Sequence, residues 1–77
     1  MGGDVARKKP LRWWIVRHPG AGRWYVDPLQ PGALAWYLRY CDEEGYTVVK
    51  TGPFATREAA AVVAIRMAEA AGEEFRG

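Results

Sequence analysis

Few side chains in this sequence have the chemistry for catalysis. The chain holds one histidine, His18, and one cysteine, Cys41. A hydrolytic dyad of imidazole and thiol would have to use this pair, and no motif brings them together. They are read as a hairpin-end histidine beside Pro19 and a semi-buried thiol. One histidine and one cysteine make no tetrahedral zinc site without two carboxylates at matching positions. Asp42, Glu43 and Glu44 lie in one acidic run before Gly45. They lack the alternating spacing of a calcium loop, so the run is read as a solvated turn. No GxGxxG or phosphate-loop pattern occurs, and "HPGAG" at 18–22 is a turn by composition. No catalytic residue, metal site or cofactor is expected, and the chain reads as a non-enzymatic binding protein.

The surplus chemistry is aromatic and basic. Aromatic residues make up 13% of the chain, including four tryptophans. Trp13 adjoins Trp14, Trp24 adjoins Tyr25, and Trp36 adjoins Tyr37. In strands, neighbours point to opposite faces, so one helix covering one face leaves the other set of rings exposed. On alternation Arg12 shares a face with Trp14, Arg23 with Tyr25, and Arg39 with Tyr37. Guanidinium groups reach phosphates and base edges, and rings stack on exposed bases. The nucleic-acid-binding residues expected on this argument are Arg12, Arg23, Tyr25, Tyr37 and Arg39; Lys50 joins them through the resemblance given below. The same mixture of Tyr, Trp and Arg marks protein interfaces. A protein partner, or a second copy of the chain in a homodimer, is the alternative.

Charge is polarised along the chain. The formal net charge is +2, but residues 1–26 hold six basic side chains against Asp4 alone. Residues 27–77 hold five basic side chains against eight acidic ones. The amino-terminal part thus has an attraction for anions. Residues 1–9, "MGGDVARKK", read as a flexible basic tail, and 10–77 as one small domain.

The elements that would position these groups follow from local pattern. "LRWWIVRH" (11–18) and "RWYVD" (23–27) read as a hairpin joined by "PGAG". "PLQPG" (28–32) is a connection, because proline serves no central ladder. The segment 33–41, "ALAWYLRYC", has Leu34 and Leu38 at helical spacing, but its aromatic content favours a strand. With helix as the alternative, it is expected to form a second hairpin with "YTVVK" (46–50). "TGPF" reads as a turn and Thr56 as a helix N-cap, with Glu58 in the first turn, where a carboxylate is favoured. A helix is expected from about Arg57 to Ala71. Its apolar stripe is Ala60, Val63, Ala64, Met67 and Ala71, widened by Val62 and Ile65. The expected fold is α+β: a three- or four-stranded antiparallel sheet of two hairpins packed on one C-terminal helix.

Residues 36–60, "WYLRYCDEEGYTVVKTGPFATREAA", resemble the N-terminal arm-binding, AP2-like domain of phage-type tyrosine recombinases. The matching positions are Trp36, Arg39, Tyr40, Asp42, Gly45, Lys50, Phe54, Thr56, Arg57, Glu58 and Ala59. The resemblance implies a phage or mobile-element protein in which a three-stranded sheet reads DNA and a helix packs behind it. It would place Arg39 and Lys50 on the DNA, with Phe54 and the helix supporting the sheet; Val63 and Met67 are read as structural from the helix's own apolar stripe. The ending "GPFATREAA…MAEAAG" is also similar to the sporulation-related peptidoglycan-binding repeat.

No apolar run is long enough to span a membrane, and the amino terminus lacks the pattern of a signal peptide. A lone cysteine makes no internal disulfide. A cytoplasmic protein without a membrane partner is expected.

Overall fold

The computed structural model describes residues 11–77, so the tail expected over 1–9 lies outside them. Strands β1 (Arg12–His18) and β2 (Arg23–Leu29) form the expected hairpin, in register from His18↔Arg23 to Arg12↔Leu29. Helix α1 (Leu34–Glu44), strand β3 (Thr47–Phe54), helix α2 (Arg57–Ala71) and the short strand β4 (Glu74–Phe75) follow. The sheet order is β3-β1-β2-β4. β3 lies antiparallel to β1, whereas β4 lies parallel to β2. The α+β class and a four-stranded sheet are as the sequence implied.

The segment 33–41 is corrected: it is helical, and no second hairpin forms. Leu34, Tyr37, Leu38 and Cys41 repeat at the three- and four-residue spacing of a helix face. Tyr37 and Cys41 are buried on that face. Gly45 ends the helix at φ 83°, a left-handed conformation that favours glycine. Its N–H and that of Tyr46 both return to the Cys41 carbonyl. The aromatic content that argued for a strand lies largely on the helix exterior, where Trp36 and Tyr40 are exposed.

The other corrections follow from edges. β3 runs through the expected turn at 51–54. Two residue steps of β1 (Trp13 to Ile15) face five of β3 (Val49 to Phe54), an irregularity that absorbs Gly52 and Pro53. β3 is an edge strand, where proline is tolerated. Pro28 is likewise inside β2, paired with Trp13. Carboxy-terminal residues hydrogen-bond to β2 only as far as Val26.

α2 matches its expected span, and the Thr56 side chain accepts the Ala59 N–H at 3.1 Å. Its buried face is Ala60, Ala61, Ala64 and Ala68, with Val63 and Met67 packed alongside. Val62, Ile65 and Ala71 instead face solvent.

Each face of the sheet carries a helix, so the core has two halves. Toward α2 lie Ile15, Trp24, Val26 and the helix alanines, flanked by Trp13 and Phe54. Alanine has no bulk beyond Cβ, so helix and sheet approach closely there. Toward α1 lie Val16, Leu29, Tyr37, Cys41 and Val48. Adjacent Ile15 and Val16 on central β1 each anchor one half. This explains why neither face of that strand is polar in sequence.

Candidate functional site: a tyrosine-lined cleft

α1 packs over the β1–β3 side of its face and leaves a cleft of about 230 Å³ toward β2. Strand alternation turns Tyr25 and Asp27 of β2 into this space, with Val16 of β1 beside them. α1 adds Tyr37, Tyr40 and Cys41 from one flank, and Tyr46 enters directly after the Gly45 turn. The four tyrosines of the sequence therefore all line one cleft.

The rings support one another. His18 stacks on Tyr46 with centroids 4.5 Å apart, and Tyr25 meets Tyr46 edge-on at 6.2 Å. Tyr37 and Tyr40 lie 6.2 Å apart. These separations lie within the range of favourable aromatic pairs.

Beneath the rings, the Tyr37 hydroxyl donates a hydrogen bond to Asp27 Oδ2. Burial pushes the Tyr37 phenol well above its ordinary range, and the Asp27 carboxylate adds to that. Burial also raises the Cys41 thiol; the Tyr37 hydroxyl opposes this and Asp27 reinforces it. Both groups thus stay protonated at neutral pH. His18 stacks on Tyr46, whereas Cys41 is buried on the inner face of α1, and no hydrogen bond joins the two among the described residues. No group of three or more His, Cys, Asp or Glu side chains there is placed to hold a metal ion.

The expected nucleic-acid set is dispersed around this side of the molecule. Tyr25 and Tyr37 meet in the cleft, with Tyr37 buried and committed to Asp27. Arg12 borders a groove of about 340 Å³ with Trp14, Gln30 and Pro53. Lys50 borders another with Trp14, Leu34 and Leu38. Arg23 sits at the hairpin end opposite His18. Arg39 is exposed on α1, so residues 36–50 are a helix, a turn and a strand, unlike the hairpin implied by the recombinase resemblance. Of the residues expected to be structural, Phe54, Val63 and Met67 pack against the α2-side core and Thr56 caps α2.

Sequence reasoning missed Asp27, Tyr40 and Tyr46 as site residues. The signal for Tyr40 was its position three residues after Tyr37, which puts both on one flank of a helix. Also missed was a clamp on the opposite face. Glu73 Oε1 accepts Arg17 Nε at 2.9 Å and Trp24 Nε1 at 2.7 Å, and Oε2 accepts Arg17 Nη2 at 2.7 Å. Arg17 also lies over the Trp24 ring, 5.6 Å from its centroid. This clamp ties the end of α2 to β1 and β2, beside β4. Among the described residues no helix is long and apolar enough to cross a membrane. No protein-family model, curated protein or solved structure gives a significant match to the chain.

Proposed function

We propose that the chain is a non-enzymatic binding domain that grips a side chain of a protein partner in the tyrosine-lined cleft. The observation that carries this is the convergence of all four tyrosines, drawn from β2, α1 and the turn after it, on one open cleft. Trp36 and Tyr40 continue the aromatic surface outward along α1, 62% and 47% exposed. Exposed Trp and Tyr are characteristic of interface anchors. Burial of Cys41 and the raised thiol argue against a thiolate nucleophile in this cleft.

Selection from a library of displayed short peptides tests the reading. Enriched peptides are expected to lose binding to Tyr25→Ala and Tyr40→Ala variants that remain folded. Enrichment no better than on a denatured control, or peptides indifferent to both variants, refutes it. Sedimentation across a concentration series separates a second copy of the chain from a foreign partner: a monomer throughout excludes the homodimer.

A second reading, DNA contact as the recombinase resemblance implies, is favoured by a separate observation. Arg12, Arg23, Arg39 and Lys50 are exposed, and none makes an ion pair with another described residue. It ranks second because Asp42, Glu43 and Glu44 repel phosphate from the end of α1. Phosphate contacts release counterions, so a gel shift must weaken steeply with salt. No shift at low salt ends this reading.

A further inference from the structure

The cleft has the chemistry of a site for an organic cation. Aromatic faces carry the negative lobe of the ring quadrupole and attract ammonium and guanidinium groups. Asp27 is the one charged side chain among the lining residues. Tyr37 uses its hydroxyl proton on one oxygen, Oδ2, and no other hydrogen bond to this side chain is made within the described residues. The second oxygen remains for a ligand. The rings are braced before any ligand arrives: His18 and Tyr25 support Tyr46, and Tyr40 supports Tyr37.

Field and size agree with that chemistry. Cys41 brings the carboxy-terminal turn of α1 to the cleft, and this turn contains no basic residue and the acids Asp42, Glu43 and Glu44. A helix carries partial negative charge at this end. The volume of about 230 Å³ is below the roughly 300–1,000 Å³ of pockets for drug-sized ligands. It suits the tip of a side chain entering from solvent.

We propose that the cleft binds the cationic end of a lysine or arginine side chain, methylated forms included, between tyrosine rings with Asp27 as counter-ion. This deepens the binding-domain reading and rests on it.

The test is amide-detected NMR of the full chain with two matched pairs of probes at constant ionic strength. One pair is choline and its neutral isostere 3,3-dimethylbutan-1-ol. The other is a capped tripeptide with a central lysine and the same peptide with norleucine. Saturable shifts are expected at Tyr25, Asp27 and Tyr46, with each cation bound about tenfold more tightly than its isostere. Asp27→Asn should shrink that ratio to about threefold or less. Should this variant unfold, Tyr40→Ala, changed at a half-exposed position, should weaken the cations at least about threefold. Equal affinity for cation and isostere overturns the proposal but leaves the cleft a binding site. A choline preference without a lysine preference overturns the side-chain assignment. If no probe shifts the cleft, the cation proposal falls, and the peptide selection decides the binding reading separately.

Discussion

Replacing Tyr37 with phenylalanine removes one oxygen from the floor of the cleft and leaves the ring in place. That oxygen carries the proton donated to Asp27. Hydrogen bonds to charged groups contribute about 1.5–3 kcal/mol net. Tyr37 is buried but Asp27 only half-buried, so water can rehydrate the abandoned carboxylate. That rehydration brings the cost to the bottom of the range or just below it, and Tyr37→Phe should cost about 1–2 kcal/mol. For a domain of this size that lowers Tm by roughly 4–16 °C. It is a sizeable share of a total near 4–12 kcal/mol, at about 0.05–0.15 kcal/mol per residue. Urea unfolding followed by tryptophan fluorescence should show a lower midpoint at unchanged slope. In a double-mutant cycle, Asp27→Asn should be coupled to Tyr37→Phe by about 1 kcal/mol. The pH dependence has a definite sign. A phenol held above its ordinary value of 10.0 contributes stability that is complete below that value. The contribution drains away as pH rises toward the folded-state value. The wild-type advantage over Tyr37→Phe should therefore shrink above about pH 10. A cost below about 0.3 kcal/mol, or strict additivity with Asp27→Asn, refutes the description of the cleft floor.

Three further outcomes are expected. Glu73→Gln should destabilise at neutral pH by weakening the clamp on Arg17 and Trp24. Arg17 first, then Trp24, hold the Glu73 carboxyl below its ordinary value of 4.5. This contribution is present above that value and lost as pH falls through the folded one, so the two unfolding midpoints should converge in acid. Ala64, fully buried where α2 meets the sheet, has no room for added methylenes. Ala64→Leu should cost about 1–3 kcal/mol in urea unfolding, whereas the exposed Val62→Leu should stay within about 0.5 kcal/mol. Cys41, 2% exposed with its thiol pushed up, should react slowly with a disulfide reagent in the folded chain. Addition of denaturant should release it to fast reaction.

The legible parts of this fold were those whose local and tertiary signals agree. α2 has its cap at Thr56, its acid at Glu58 and its alanine face, and each points to the same helix. The β1–β2 hairpin likewise has alternation and a turn in agreement. α1 was misread because its signals conflict. Trp36 and Tyr40 suit a half-buried pleated surface, yet here they lie on the exterior of a helix whose packing is set by Leu34, Tyr37, Leu38 and Cys41. β4 had no local signal: two residues become a strand only because the Glu73 clamp and Phe75 hold them beside β2. The cleft was half legible. Tyr25 and Tyr37 stood among the expected contact residues, but for an open sheet face. Alternation already puts Asp27 on the face of Tyr25. Tyr37, Tyr40 and Tyr46 meet them only once α1 is folded across that face, and the helical spacing in 34–41 does not say which face it covers.

The most direct measurement is where a partner lands. Amide NMR of the chain with a peptide enriched in the display selection should give its largest shifts at Tyr25, Asp27, Tyr40 and Tyr46. Shifts confined to the exposed apolar side of α2 around Val62 and Ile65 would contradict the assignment of the cleft as the binding site.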